Sequence, residues 1–168
     1  MTYSIEANAL MEPWLEGLPL DGSHPLPARL RQVMAAGITE RVGGLYFTSE
    51  LLPEDRITGE LGRMSTSELE AFMNRLRIDS LKPVQRTVPG SNAWVYECLA
   101  ISVTLGRAVL DACATVSATV VEAAVALEIG DDYEQPTCTF RFSSSPDGLL
   151  TDPEDFEQAV FVMRLGLA

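Results

Sequence analysis

Residues 93–129 constrain the fold of this chain more than any other segment. They form its least polar stretch, rich in Ala, Val, Thr and Leu, and such a stretch must be buried, either in a protein core or in a bilayer. Glu97, Arg107, Asp111, Glu122 and Glu128 interrupt it, so it holds no uncharged run near the roughly 18 residues that a spanning helix needs. It therefore reads as part of a globular core, with no membrane partner. Val109, Cys113, Val116, Val120, Ala124 and Leu127 step by 4, 3, 4, 4 and 3, a helix period, while Arg107, Asp111, Ala118 and Glu122 trace another face. A second helix precedes it from residue 92 to about 105, with Gly106 as a kink or break. Ala100, Ser102, Ala108, Ala112 and Ala118 leave room there for neighbours to approach closely. The alternative is a strand over 121–129, where V-E-A-A-V-A-L-E-I partly alternates and β-branched residues are frequent.

The flanking segments read as short elements of both kinds. An extended entry over 3–7 leads into a loop with Trp14 among Pro13, Pro19, Pro25, Gly17 and Gly22, too many breakers for a long element. Pro27 suits the first turn of a helix through Ala28, Leu30, Val33 and Met34 that Gly37 stops. Gly43-Gly44 is a turn before a strand at 45–48, because neither a GxGxxG nor a GxxxxGK(S/T) arrangement surrounds it. Ser65-Thr66-Ser67-Glu68 is a capping box. It predicts a helix to about residue 78, with Leu69, Phe72, Met73 and Leu76 on one core-facing stripe.

Residues 137–142 alternate cleanly, with Cys138, Phe140 and Phe142 on one side and Thr137, Thr139 and Arg141 on the other, as in a strand packed on one face. Turn chemistry follows at 143–148. Thr151-Asp152-Pro153-Glu154-Asp155 then reads as an N-cap, a first-turn proline and first-turn acids of a helix whose stripe is Phe156, Val160 and Met163. A closing strand over 161–165 is the alternative.

Few groups are arranged for chemistry. The single histidine, His24, sits in a Gly-Ser-His-Pro loop, and no GxSxG elbow accompanies it as a hydrolase triad would require. One imidazole cannot build a histidine zinc site. Cys98, Cys113 and Cys138, spaced 15 and 25 apart, form neither a CxxC metal pair nor a disulfide framework, and read as small buried hydrophobes. No cofactor is expected.

Charge is the informative signal. The chain carries 24 acidic and 12 basic residues for a net of -12, which phosphate backbones and anionic lipid heads repel; direct nucleic-acid binding is excluded on that ground. Residues 111–168 hold eleven acids and two bases, whereas 61–110 hold four acids and six bases, among them Arg63, Arg75, Arg77, Lys82 and Arg86. Two acidic groups are dense: Asp131, Asp132 and Glu134, and Asp152, Glu154, Asp155 and Glu157. They are the candidate partner-binding residues, because a concentrated negative field speeds encounter with a basic protein. Solubility is the competing explanation.

These features predict an α+β fold of four or five helices packed on a small, mainly antiparallel sheet built on 137–142. A chain of 168 residues hides roughly two-thirds of its surface on folding, enough for one core. The expectation is a single globular domain over 1–168 with a flexible seam at 82–90. The first residues carry no basic n-region and no apolar h-region, so cytoplasmic residence is expected. Composition alone suggests an acidic, non-catalytic protein that binds a basic protein, in the manner of a bacterial immunity or inhibitor protein or a secretion chaperone. The alternatives are a carboxylate-based enzyme or small-ligand binder whose pocket pairs carboxylates with Tyr or Arg, and a structural component of a phage or multiprotein assembly.

Overall fold

The computed structural model describes residues 2–59, 61–81, 92–117, 120–128, 137–144, 152–155 and 157–166. Its strands are β1 (Thr2–Ala7), β2 (Ile38–Arg41), β3 (Gly44–Phe47), β4 (Leu76–Arg77), β5 (Glu122–Glu128), β6 (Thr137–Ser143) and β7 (Ala159–Gly166). Its helices are α1 (Glu12–Leu15), α2 (Ala28–Ala36), α3 (Glu54–Gly59), α4 (Thr66–Met73) and α5 (Ala93–Val116). The fold is α+β, as expected. Its sheet is larger than expected: five antiparallel strands in the order β1-β7-β5-β6-β4, with β2 and β3 as a separate hairpin.

Helix α5 runs for 24 residues, about 36 Å, and continues through Gly106 without a break. The glycine has a different task. A Cβ at this position would lie 2.6 Å from Met163 Sδ and 3.7 Å from Phe140 Cε2, so Gly106 lets the helix lie close over the sheet. By length and composition alone α5 could cross a bilayer, contrary to the sequence reading, but 56% of its most apolar window is buried inside the fold. Val95, Leu99, Val103, Leu105, Val109 and Cys113 on the helix meet Val125, Leu127, Phe140, Phe142, Phe161 and Met163 from the sheet in one core.

The helical stripe read through 109–127 ends at Val116. Val116 and Val120 are exposed, and Glu122 begins β5. The strand reading wins because β5 is the central strand: residues 122–128 register with β6 and 122–127 with β7. Pairing on both sides satisfies its backbone as a helix would and also buries Ala123, Val125 and Leu127 fully, whereas another turn of helix would leave an exposed face. Ala123, Val125 and Leu127 then face the core, while Ala124 and Ala126 face outward.

Two other helix readings are corrected by the same tertiary pairing. The Ser65–Glu68 capping box is present, with Glu68 N donating to Ser65 Oγ and Ser65 N to Glu68 Oε2, but α4 stops at Met73 and residues 76–77 enter the sheet as β4. Leu69 and Met73 are buried, whereas Phe72 is 54% exposed, so the four-residue stripe does not hold. The acidic segment before the C-terminal strand forms only a 3-10 turn, Pro153–Asp155. Val160 and Met163 then lie on opposite faces of β7, an inner strand between β1 and β5. Phe156, residues 145–148 and the seam at 82–90 lie outside the described residues.

The remaining elements match their sequence signals. β1 and β6 are strands, α2 begins after Pro27 and ends at Gly37, and all three cysteines are buried and free. At the β2–β3 hairpin the tip falls one residue earlier than the Gly43-Gly44 turn expected. Val42 and Gly43, with φ of 51° and 76°, form it, in the manner of a type I′ turn.

Candidate functional site

Because side chains alternate along a strand, each sheet strand presents one set of residues to α5 and another outward. The outward set includes Thr137, Thr139 and Arg141 on β6, Ala124, Ala126 and Glu128 on β5, and Arg77 on β4. Register aligns Arg77 with Thr139 and Ala126, and Arg141 with Ala124. Ala126 leaves a trough over the central strand, and α4 and residues 157–158 wall it, while Ala124 is buried with Val160 and Val162. The resulting groove has a volume of about 640 Å³ and is lined by Ala71, Phe72, Arg75, Arg77, Ala126, Glu128, Thr137, Thr139, Arg141, Glu157 and Gln158. Ligand sites generally occupy roughly 300–1,000 Å³.

Three of the chain's twelve basic residues meet here. Arg77 is committed to Asp79 through a two-point contact of 3.1 and 2.7 Å. Burial opposes ionisation of Asp79, but Arg77 and the amide of Cys138, which donates to Asp79 Oδ1 at 2.9 Å, outweigh it and hold its carboxyl below the usual range. Arg141 is half-buried. Burial, and after it the charge of Arg75, pulls its guanidinium pKa down, so two cations are held side by side in a partly desolvated place. Arg75 is exposed and forms no ion pair among the described residues. Such a pair attracts an anion.

The groove's α4 wall is fixed from behind by a buried polar junction. Glu70, fully buried, accepts from Leu45 N at 2.6 Å, Ser143 Oγ at 2.7 Å, Ser144 N at 2.9 Å and Ser144 Oγ. Asn74 donates from Nδ2 to Leu45 O and Phe142 O, at 2.7 and 3.2 Å, and its Oδ1 accepts from Phe47 N at 3.3 Å. Their side chains thus complete the edge of β6 beyond the two residues that β4 pairs. Tyr46 lies against the junction, its phenol pushed up to about 12 by burial and then by Glu70. A Cβ on Gly44 would come within 2.6 Å of that hydroxyl and 2.9 Å of Glu70 Cγ, so only glycine fits there.

The acidic residues singled out in the sequence have different local contacts where they are described. Asp152 is exposed and accepts from Glu154 N at 2.9 Å, capping the 3-10 turn; Glu154 accepts from Ala9 N at 3.1 Å and so anchors the end of β1. Asp155 closes that turn. Glu157 lines the groove. Asp131, Asp132 and Glu134 lie outside the described residues. His24 is half-buried with Nε2 4.0 Å from a Glu97 oxygen. Burial pushes the Cys113 and Cys138 thiols up to about 12, which keeps them protonated and poorly nucleophilic. Among the described residues no three His, Cys, Asp or Glu side chains converge as a metal site.

Compared with family models, curated proteins and solved structures, the chain matches none.

Proposed function

We propose that this is a non-catalytic binding protein that holds a carboxylate-bearing segment of another polypeptide in the arginine-lined groove, in the manner of an inhibitor or an escort. The observation that carries the reading is the gathering of Arg75, Arg77 and Arg141 around one groove in a chain of net charge -12. Local charge decides the contact, because at physiological salt a field is screened beyond about 8 Å. Supporting the non-catalytic part, the groups with chemical potential are spent on structure: two thiols are held protonated, and Glu70 is surrounded by four donors.

Fluorescence anisotropy with an Asp/Glu-rich peptide and its Asn/Gln counterpart tests the proposal. The acidic peptide is expected to bind, more weakly as salt rises, and Arg75→Glu to abolish binding. Equal binding of the amide counterpart would remove the arginines from the argument.

A second reading places a basic protein against the acidic C-terminal third. It is favoured by a net charge of -9 over 111–168, with Asp152 and Glu157 exposed. Changing Asp131, Asp132 and Glu134 together to amides would then slow association with that partner and flatten its salt dependence, leaving dissociation nearly unchanged. An unaltered on-rate would assign that cluster to solubility.

A further inference from the structure

The two ends of the sheet are finished differently. At one end β4 pairs only two residues, and beyond it Phe142 O and Ser144 N are already engaged by Asn74 and Glu70. At the other end β1 is open. Asn8 N donates to Val160 O, which continues the β1–β7 register. Main-chain groups alternate in direction along an antiparallel strand, so Thr2, Ser4 and Glu6 turn theirs towards β7, while Tyr3, Ile5 and Ala7 turn theirs outward. Among the described residues these outward groups meet no main-chain partner. Sheet edges are ordinarily protected by proline, lysine, a bulge or shortness. β1 has none of these: its residues, Thr-Tyr-Ser-Ile-Glu-Ala, pair with β7 without interruption. Its one charge, Glu6, is held by Arg164. Tyr3, Ile5 and Ala7 rest their side chains on the core, and each stays only half-buried.

We infer that the β1 edge binds a second copy of this chain, the two β1 strands pairing antiparallel about a twofold axis at Ile5. A second copy fits because the edge complements itself. The register centred on Ile5 sets Ile5 opposite Ile5 and Tyr3 opposite Ala7, so every outward residue exchanges bonds and each large ring faces a small side chain. On the other face it sets Glu6 opposite Ser4, whereas a register centred on Glu6 would bring two carboxylates together. Two five-stranded sheets thereby become one, with about six new main-chain hydrogen bonds. One strand pair is smaller than a standard stable interface, so the dimer is weak. The net charge of -12 on each copy opposes it, and added salt relieves that repulsion. This is the reverse of the salt dependence expected at the arginine groove, which lies over β4, β5 and β6 and takes no part.

Sedimentation and residue-resolved amide exchange of the intact protein test this. From about 10 µM to about 1 mM the mass should rise from one chain towards two, and more completely at high salt than at low. Over the same range exchange of the Tyr3, Ile5 and Ala7 amides should slow about tenfold, while those of Ser4 and Glu6, already bonded to β7, change little. Ile5→Pro removes an outward N–H and no bond to β7, so it should stay monomeric with its melting midpoint nearly unchanged; if it fails to fold, the exchange pattern of the unaltered chain still decides. A single-chain mass at every concentration and salt would overturn the inference. So would a dimer in which the Tyr3, Ile5 and Ala7 amides gain no protection, since its interface would lie elsewhere, or one that dissociates as salt rises.

Discussion

The two faces of the sheet are built from the same strands and differ in what fixes their residues. Inward, Phe140, Phe142, Phe161 and Met163 are fully buried against α5, and each position is dictated by the volume available. Outward, Ala124, Val160 and Val162 form a small buried cluster of their own, but along β6 and the adjoining ends of β4 and β5 the residues are Thr, Arg, Ala and Glu, a mixture that no core would select. The inner face specifies the fold, and the outer face between α4 and residues 157–158 is released from packing and can carry recognition.

The contrast is broken most severely from the inner side. Phe140→Ala and Phe142→Ala should each cost about 3–5 kcal/mol, read from urea denaturation, while Thr139→Ala on the outer face of the same strand should cost well under about 1 kcal/mol. Equal losses at Phe140 and Thr139 would mean that the faces are not distinct. Next comes the junction that finishes the β6 edge. Asn74→Ala leaves Leu45 O, Phe142 O and Phe47 N without their partner, and should cost about 3 kcal/mol. A loss below about 1 kcal/mol would show that water replaces the side chain at little cost.

Smaller effects sharpen the comparison. Gly106→Val should destabilise by about 1–3 kcal/mol through overpacking, and Met163→Ala in the same chain should recover part of that loss by removing the sulfur that the new side chain meets. Additive losses in the double variant would separate the two positions. The smallest effect is electrostatic. Asp79 has its carboxyl lowered in the folded state, so its contribution is present above the unfolded value near 4 and is lost as pH falls from there through the lower folded value. Asp79→Asn should therefore flatten the decline of stability in acid, and an unchanged slope between wild type and variant would dismiss the Arg77 pair as a source of stability.

Short-range signals in the sequence were reliable wherever the neighbours agreed with them. Pro27 and Gly37 bracket α2, Ser65 and Glu68 cap α4, and the alternation at 137–142 is β6, because local chemistry and tertiary pairing favour the same state there. At 76–77, 122–128 and 159–166 they conflict. A helical continuation lost to strand pairing with partners far along the chain, which no local window contains. The groove was half legible: Arg75 and Arg77 stood out as basic, and Arg141 was placed on the outward side of its strand, but only register brings them together. Asn8, Glu70 and Asn74 left no sequence signal, since an isolated polar residue looks the same whether it is solvated or buried with partners.

The pairing of β1 with β7 also sets an order of events. Asn8 Oδ1 accepts from Val160 N across 152 residues of chain, and β1 can find its place only after β7 exists. During synthesis the first strand must therefore wait, unpaired, while nearly everything that separates the two is made. Contacts that close so long a loop are slow to form. A circular permutant in which β7 leads directly into β1 would turn the slowest pairing into a hairpin, and the same sheet should then assemble faster.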